Sequence, residues 1–124
     1  MNPGGPFGRI DHVQLAIPPG GEEAAILFYG TVLGLEQLEK PPELAGRGGA
    51  WFRSGSVVVH VGIDPGFRAA RKAHPAFRCT DYDGLLARLR AAEVEIVADP
   101  HPFEGKAHCY VSDPFGNRLE FIAE

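Results

Sequence analysis

Two successive β-α-β-β-β patterns predict an α+β fold, two modules whose curved mixed sheets surround a central cleft. Three observations carry this expectation. Short apolar runs alternate with period two, each half places one amphipathic helical segment after its first strand, and matching features recur about 60 residues apart. A four-stranded sheet with one helix leaves its second face needing cover. Either two halves of one chain or halves exchanged between two chains would enclose a cavity.

The elements follow in order. The Pro/Gly-rich residues 1–8 are expected to form a flexible tail, and residues 9–124 one domain, with module 1 about 9–64 and module 2 about 73–124. Residues 10–17 (IDHVQLAI) alternate as a strand, with His12 and Gln14 on one face and Asp11, Val13 and Leu15 on the other. Pro18-Pro19-Gly20-Gly21 stops it, and residues 22–33 carry apolar side chains at helical spacing, with acids in the first turn and Gly34 just past the end. A short strand at 35–39 and a Pro/Gly-rich loop lead to a hairpin, 50–53 and 56–63, turning at Ser54-Gly55. The second half repeats this order: a strand at 74–80, a helix at 83–92, a strand at 94–98, a Pro-rich loop, and a hairpin, 107–112 and 118–123, around Asp113-Pro114-Phe115-Gly116-Asn117.

Composition limits the function classes. The 124 residues are 44 % hydrophobic and 23 % charged, which excludes a disordered chain. The net charge is −4 and there is no basic block, so nucleic acid and anionic membrane are not expected as partners. No run reaches the ~20 apolar residues of a membrane span, and the start lacks an apolar signal core, so a cytoplasmic protein is expected. Cys79 and Cys109 lack metal-ribbon spacing and read as reduced thiols in strands.

Polar residues interrupt the apolar strands at matched positions. His12 and His74 stand 62 apart in the opening strands, and His60 and Glu120 stand 60 apart in the closing ones, all on the presumed cavity face. Two imidazoles and a carboxylate around one ion make the facial triad of non-haem iron sites. His12, His74 and Glu120 are the expected ligands, with His60 as a fourth ligand or an acid/base group. Tyr110 is expected either to donate to a substrate oxygen or to be an ordinary strand aromatic. His101, between two prolines, reads from its surroundings as a solvated loop residue. Arg78 alternates onto the cavity face, to pair with a substrate carboxylate or to form a salt bridge. Trp51 and His108 are expected to line the cavity as substrate-binding residues, Trp51 alternatively at a dimer seam. The cations Arg68, Arg71 and Lys72 form either a solvated linker or an anion-binding lip.

The opening DHV, the GLE after the first helix and the ending YVSDPFGNRLEF resemble the vicinal-oxygen-chelate superfamily over roughly residues 9–123. That superfamily includes glyoxalase I, fosfomycin and bleomycin resistance proteins, and extradiol dioxygenases. The resemblance implies paired βαβββ modules, usually a homodimer, and a divalent metal on His12, His74 and Glu120, with Fe2+ preferred and Mn2+, Ni2+ and Zn2+ compatible. Glyoxalase I-like members carry a carboxylate where this chain has His60. Extradiol dioxygenases resemble it in the order His101, Tyr110, Asp113-Pro114-Phe115-Gly116, Glu120, which implies ring cleavage of a catechol, with His60 as acid/base and His101 and Tyr110 as further catalytic residues. Two alternatives stay open: a glyoxalase-like lyase, isomerase or thiol transferase, and a metal-free drug-binding protein.

Overall fold

A computed structural model describes residues 4–124. The first three residues, the start of the expected tail, lie outside the described residues. Module 1 is built from β1 (Val13–Ile17), α1 (Glu22–Ala25) continuing into a π-helical stretch (Ile26–Val32), β2 (Glu36–Leu38), β3 (Ala50–Ser54) and β4 (Val57–Ile63). Module 2 repeats the order with β5 (Ala76–Cys79), α2 (Tyr82–Ala91), β6 (Val97–Ala98), β7 (His108–Ser112) and β8 (Arg118–Ala123). Each gives a four-stranded mixed sheet, ordered β1-β4-β3-β2 and β5-β8-β7-β6. The first strand pairs in parallel with the last in both modules.

Alternation sorts the faces as the sequence implies. Leu15, Ile17, Phe52, Val59 and Val61 of the first sheet are buried with Cys109, Val111, Leu119 and Phe121 of the second in one apolar core. The opposite faces carry Gln14, Trp51 and His60 in module 1 and Tyr110, Arg118 and Glu120 in module 2. The registers match: Gln14 lies opposite His60, and Ala76 opposite Glu120.

The structure departs from the sequence reading locally. The helix of module 1 winds as an α-helix for only one turn before loosening to i→i+5 bonding, as in Leu33 N to Phe28 O at 2.9 Å. The looser winding accommodates two adjacent buried aromatics, Phe28 and Tyr29. Gly34, at φ +82°, ends it. Helix α2 starts at Tyr82 because Asp81 caps it, accepting from Gly84 N at 3.0 Å. Strand β6 shrinks to two residues: Glu93 takes φ +59° and Val94 N bonds back to Leu89 O, so Val94 and Ile96 pack on the core without pairing.

A buried polar seam ties the modules together. The Tyr29 hydroxyl donates to Asp113 Oδ2 at 2.6 Å, and Asn117 Nδ2 donates to the same oxygen at 3.0 Å and to the Ala16 carbonyl at 2.8 Å. Asp113 Oδ1 accepts from the backbone N–H groups of Phe115 and Asn117, both at 2.9 Å. Arg88 of α2 adds bonds at 2.9 Å to the Val32 and Thr31 carbonyls, satisfying the open end of the π-helical stretch. The DPFGN turn is therefore also the bolt between the halves.

Candidate metal centre at two half-sites

His12 and His74 each lie just ahead of a strand, so local contacts rather than pleat alternation set their rings. His12 Nδ1 meets Asp11 Oδ1 at 2.9 Å. Strict alternation would have put Asp11 on the far face; because β1 begins only at Val13, both side chains reach the same side. The hydrogen bond to His12 holds the Asp11 carboxyl below its ordinary range. His74 Nδ1 donates to the Lys72 carbonyl at 2.8 Å. Each ring thus has Nδ1 fixed by an oxygen acceptor, as in metal-ligating histidines; this leaves Nε2 of His12 uncommitted, whereas Nε2 of His74 is bonded to Glu120.

At module 2, His74 Nε2 lies 2.9 Å from Glu120 Oε1, and His108 Nδ1 lies 2.7 Å from Glu120 Oε2. Glu120 is buried at 6 % exposure. His108 Nε2 donates to the His101 carbonyl at 2.7 Å, with Asp99 Oδ2 at 3.5 Å. Both nitrogens of His108 are committed, so it supports Glu120 rather than offering a ligand atom. The His101 carbonyl, then Glu120 and Asp99, raise its pKa against the opposing effect of burial. Tyr110, directly opposite Glu120 across β7 and β8, sets its ring edge-on to His74 and His108 at 5.6 and 5.8 Å.

At module 1, His60 is sandwiched between two rings, His12 at 4.0 Å and Trp51 at 4.2 Å. Burial, then the neighbouring His12, lower its pKa and favour the neutral base. Trp51 lies opposite His60 in the sheet register and spends one face on it. A hollow of about 740 Å³ opens here, lined by His12, His60, Gln14, Lys40 and Trp51 among others. Gly62, opposite Ala16 in the register, leaves space for the Gln14 side chain: a Cβ there would meet Gln14 Nε2 at 2.6 Å.

Within one chain, the expected residues gather as two groups. His12, His60 and Trp51 form one; His74, Glu120, His108 and Tyr110 form the other. Among the described residues, no three His, Cys, Asp or Glu side chains are arranged to hold a metal ion. Two other expected site residues are engaged elsewhere. Arg78 pairs with Glu104 at 2.7 Å, beside the Phe103 ring, and His101 sits on an exposed loop where its carbonyl serves His108. Asp11, the Lys72 carbonyl and the His108–Glu120 bond were not foreseen; the Asp-His neighbours at 11 and 12 were the one visible sign.

The donor set suits a metal. The imidazole nitrogens of His12 and His74 and the carboxylate of Glu120 are ligand types that divalent metals take, and His74 Nε2 and Glu120 Oε1 already face each other at hydrogen-bond distance, 2.9 Å.

Comparison with known proteins bears on this geometry. Residues 9–121 match the Glyoxalase/Bleomycin resistance protein/Dioxygenase superfamily. The chain belongs to that superfamily. A putative glyoxalase family protein from Bacillus anthracis is 43 % identical, with a TM-score of 0.90, covering 95 % of this chain and 96 % of that one. A lactoylglutathione lyase from Agrobacterium tumefaciens is 25 % identical at a TM-score of 0.68, with 95 % of each chain covered. The genomically encoded fosfomycin resistance protein from Listeria monocytogenes shares the fold at 16 % identity, TM-score 0.71, covering 95 % of this chain and 94 % of that one. Among curated proteins none matches. The two-module architecture expected from the repeat is that of these superfamily members, and among the described residues no helix is long and apolar enough to cross a membrane.

Proposed function

We propose that the chain is a divalent-metal-dependent enzyme acting on a small molecule with two neighbouring oxygens, specifically an extradiol-type dioxygenase that opens a catechol ring. It works as a homodimer, with His12 and His60 of one subunit facing His74 and Glu120 of the other. The observation that carries this reading is the pair of half-sites: each module fixes Nδ1 of one histidine on an oxygen acceptor, with Nε2 of His12 uncommitted and Nε2 of His74 beside Glu120 Oε1, yet among the described residues neither half holds three ligands. A two-fold dimer contacts itself through the same surface twice, so one such contact completes both sites.

When bound, a divalent ion supplies Lewis acidity toward the two adjacent substrate oxygens, Fe2+ being preferred with two imidazoles and one carboxylate. The remaining work belongs to side chains. Neutral His60 takes the proton of a substrate hydroxyl and returns it as the ring opens. Tyr110 donates its phenol hydrogen to a substrate oxygen. His108, held by the His101 carbonyl, keeps the outer oxygen of Glu120 occupied so that Oε1 is the ligand atom.

The test has two parts. Loading with ferrous iron without air, followed by catechol and oxygen, should consume oxygen and give a yellow ring-opened product. Activity with nickel, manganese or zinc and no oxygen uptake would replace ring cleavage with lyase, isomerase or thiol-transfer chemistry; no metal retention after loading would leave a metal-free binding protein. Mixing His12→Ala with Glu120→Ala chains after reversible dissociation tests the shared site. Random reassortment should restore about a quarter of the wild-type metal content, because each mixed dimer keeps one intact site of two. No restoration would overturn the exchange between subunits.

A further inference from the structure

Beside Glu120 the open face of module 2 borders a second hollow that shares Tyr110 with the half-site. It measures about 370 Å³ and is lined by Tyr110, Ser112 and Arg118 of the sheet, by Glu95 and Val97 beside its edge, and by Arg71 from the segment joining the modules. Two arginines therefore line one small space in a chain whose net charge is −4. Neither is spent on a carboxylate. Arg53 and Arg78 pair with Glu36 and Glu104, whereas Arg118 and Arg71 have no ion pair among the described residues, and Glu95 is the one acid lining the hollow.

Both cations are held by ordered backbone. Arg118 N donates to the Ala70 carbonyl at 2.9 Å, and Ala70 N donates to Asn117 Oδ1 at 3.0 Å, so the residue before Arg71 is laced to the strand that carries Arg118. The Arg118 guanidinium lies over the Tyr110 ring, its carbon 4.0 Å from the centroid. A stacked guanidinium keeps its edge N–H groups free to fork onto a carboxylate or phosphate, and stacking restricts its rotamers in advance.

Position gives the hollow its meaning. Arg118 and Glu120 share a face of β8 two residues apart, about 7 Å along the strand, with Ser112 opposite the first and Tyr110 opposite the second. We propose that this hollow is a subsite for an anionic group of the substrate, a carboxylate, phosphate or phosphonate. Arg118 is its principal anchor and Arg71 the second, so the substrate is an anionic vicinal-oxygen compound. The placement of the two oxygens rests on the proposed metal site; the capture of the anion by the two arginines does not.

Titration calorimetry separates these claims. Iron-loaded protein, kept without air, should bind 3,4-dihydroxybenzoate at least tenfold more tightly than neutral catechol. Arg118→Gln should remove about tenfold to a hundredfold of the carboxylate affinity, the range for a lost hydrogen-bonded charge partner, with catechol binding and iron content unchanged. Arg71→Gln, in an exposed stretch whose loss does not endanger the fold, should weaken the same ligand several-fold. In metal-free protein, benzoate and phenylphosphonate binding should persist and depend on Arg118, and the tighter of the two identifies the anion. Anion binding that needs Arg118 in a protein that retains no iron would refute the metal site and uphold the subsite. Equal affinity for dihydroxybenzoate and catechol in wild type, or no loss in either arginine variant, would overturn the subsite.

Discussion

Replacing Tyr29 with phenylalanine removes one oxygen from the bolt between the modules and leaves the ring in place. Tyr29 is 1 % exposed, and its ring packs edge-on to Phe28 at 5.0 Å and against Phe52 at 5.7 Å. The hydroxyl is held far toward its neutral form by burial and by Asp113, so it acts only as a donor. Hydrogen bonds to charged groups contribute about 1.5–3 kcal/mol. The lower end applies here, because Asp113 Oδ2 keeps the Asn117 amide and Oδ1 keeps two backbone N–H groups. The expected loss is about 1.5–2 kcal/mol. A chain of this length unfolds with an entropy of roughly 0.26 kcal/mol/K, so Tm should fall by about 6–8 °C. Urea unfolding should show a lower midpoint at unchanged m-value. A shift below about 1 °C would mean the Tyr29–Asp113 bond contributes nothing net; a changed m-value would mean the modules separate independently.

Three further outcomes follow from the same contacts. Arg88→Met removes both donors from the Thr31 and Val32 carbonyls and should cost about 1 kcal/mol, about 4 °C in a thermal melt, since water can replace those bonds at the exposed end; a neutral result would deny that the capping matters. Asp11→Ala frees the His12 ring and should weaken metal binding about tenfold or more without moving the metal-free melt, whereas unchanged affinity in a metal titration would remove Asp11 from the site. His108→Gln should cost the metal-free protein more stability at pH 5.5 than at pH 9. The native His108 has its pKa raised above 6.5, so its contribution is complete below 6.5 and disappears as pH rises through the raised value. His60, lowered, acts in the opposite sense, native stability falling as pH drops below 6.5, and it is present in both proteins. A difference independent of pH would refute the proton assignment.

Much of the scaffold was legible because it depends on local periodicity. The runs at 57–63 and 118–123 became β4 and β8 with Val59, Val61, Leu119 and Phe121 in the core as expected, although His60, Glu120 and Ile122 on the other face are buried as well. The placement of the ligand candidates was less legible. His12 and His74 precede their strands, where the two-residue rule no longer dictates direction, and neighbours such as Asp11 and the Lys72 carbonyl take over. Arg78 obeys the alternation but meets Glu104, 26 residues on, in a loop no pattern places. The DPFGN stretch reads as a turn from its composition; that Asn117 reaches Ala16, 101 residues away, is encoded only in the assembled fold.

The bolt between the modules is not duplicated. Asp113 and Asn117 stand in the hairpin turn of the second half, while the corresponding turn of the first is the two-residue Gly55-Ser56 turn, without an Asp or Asn. The fastening draws on both halves, Asp113 and Asn117 from the second and the Tyr29 hydroxyl and Ala16 carbonyl from the first. Expressed alone, the first would leave the Tyr29 hydroxyl and the Ala16 carbonyl bare, and the second would strand the Asp113 charge. The pair must therefore be inherited, folded and lost as a whole.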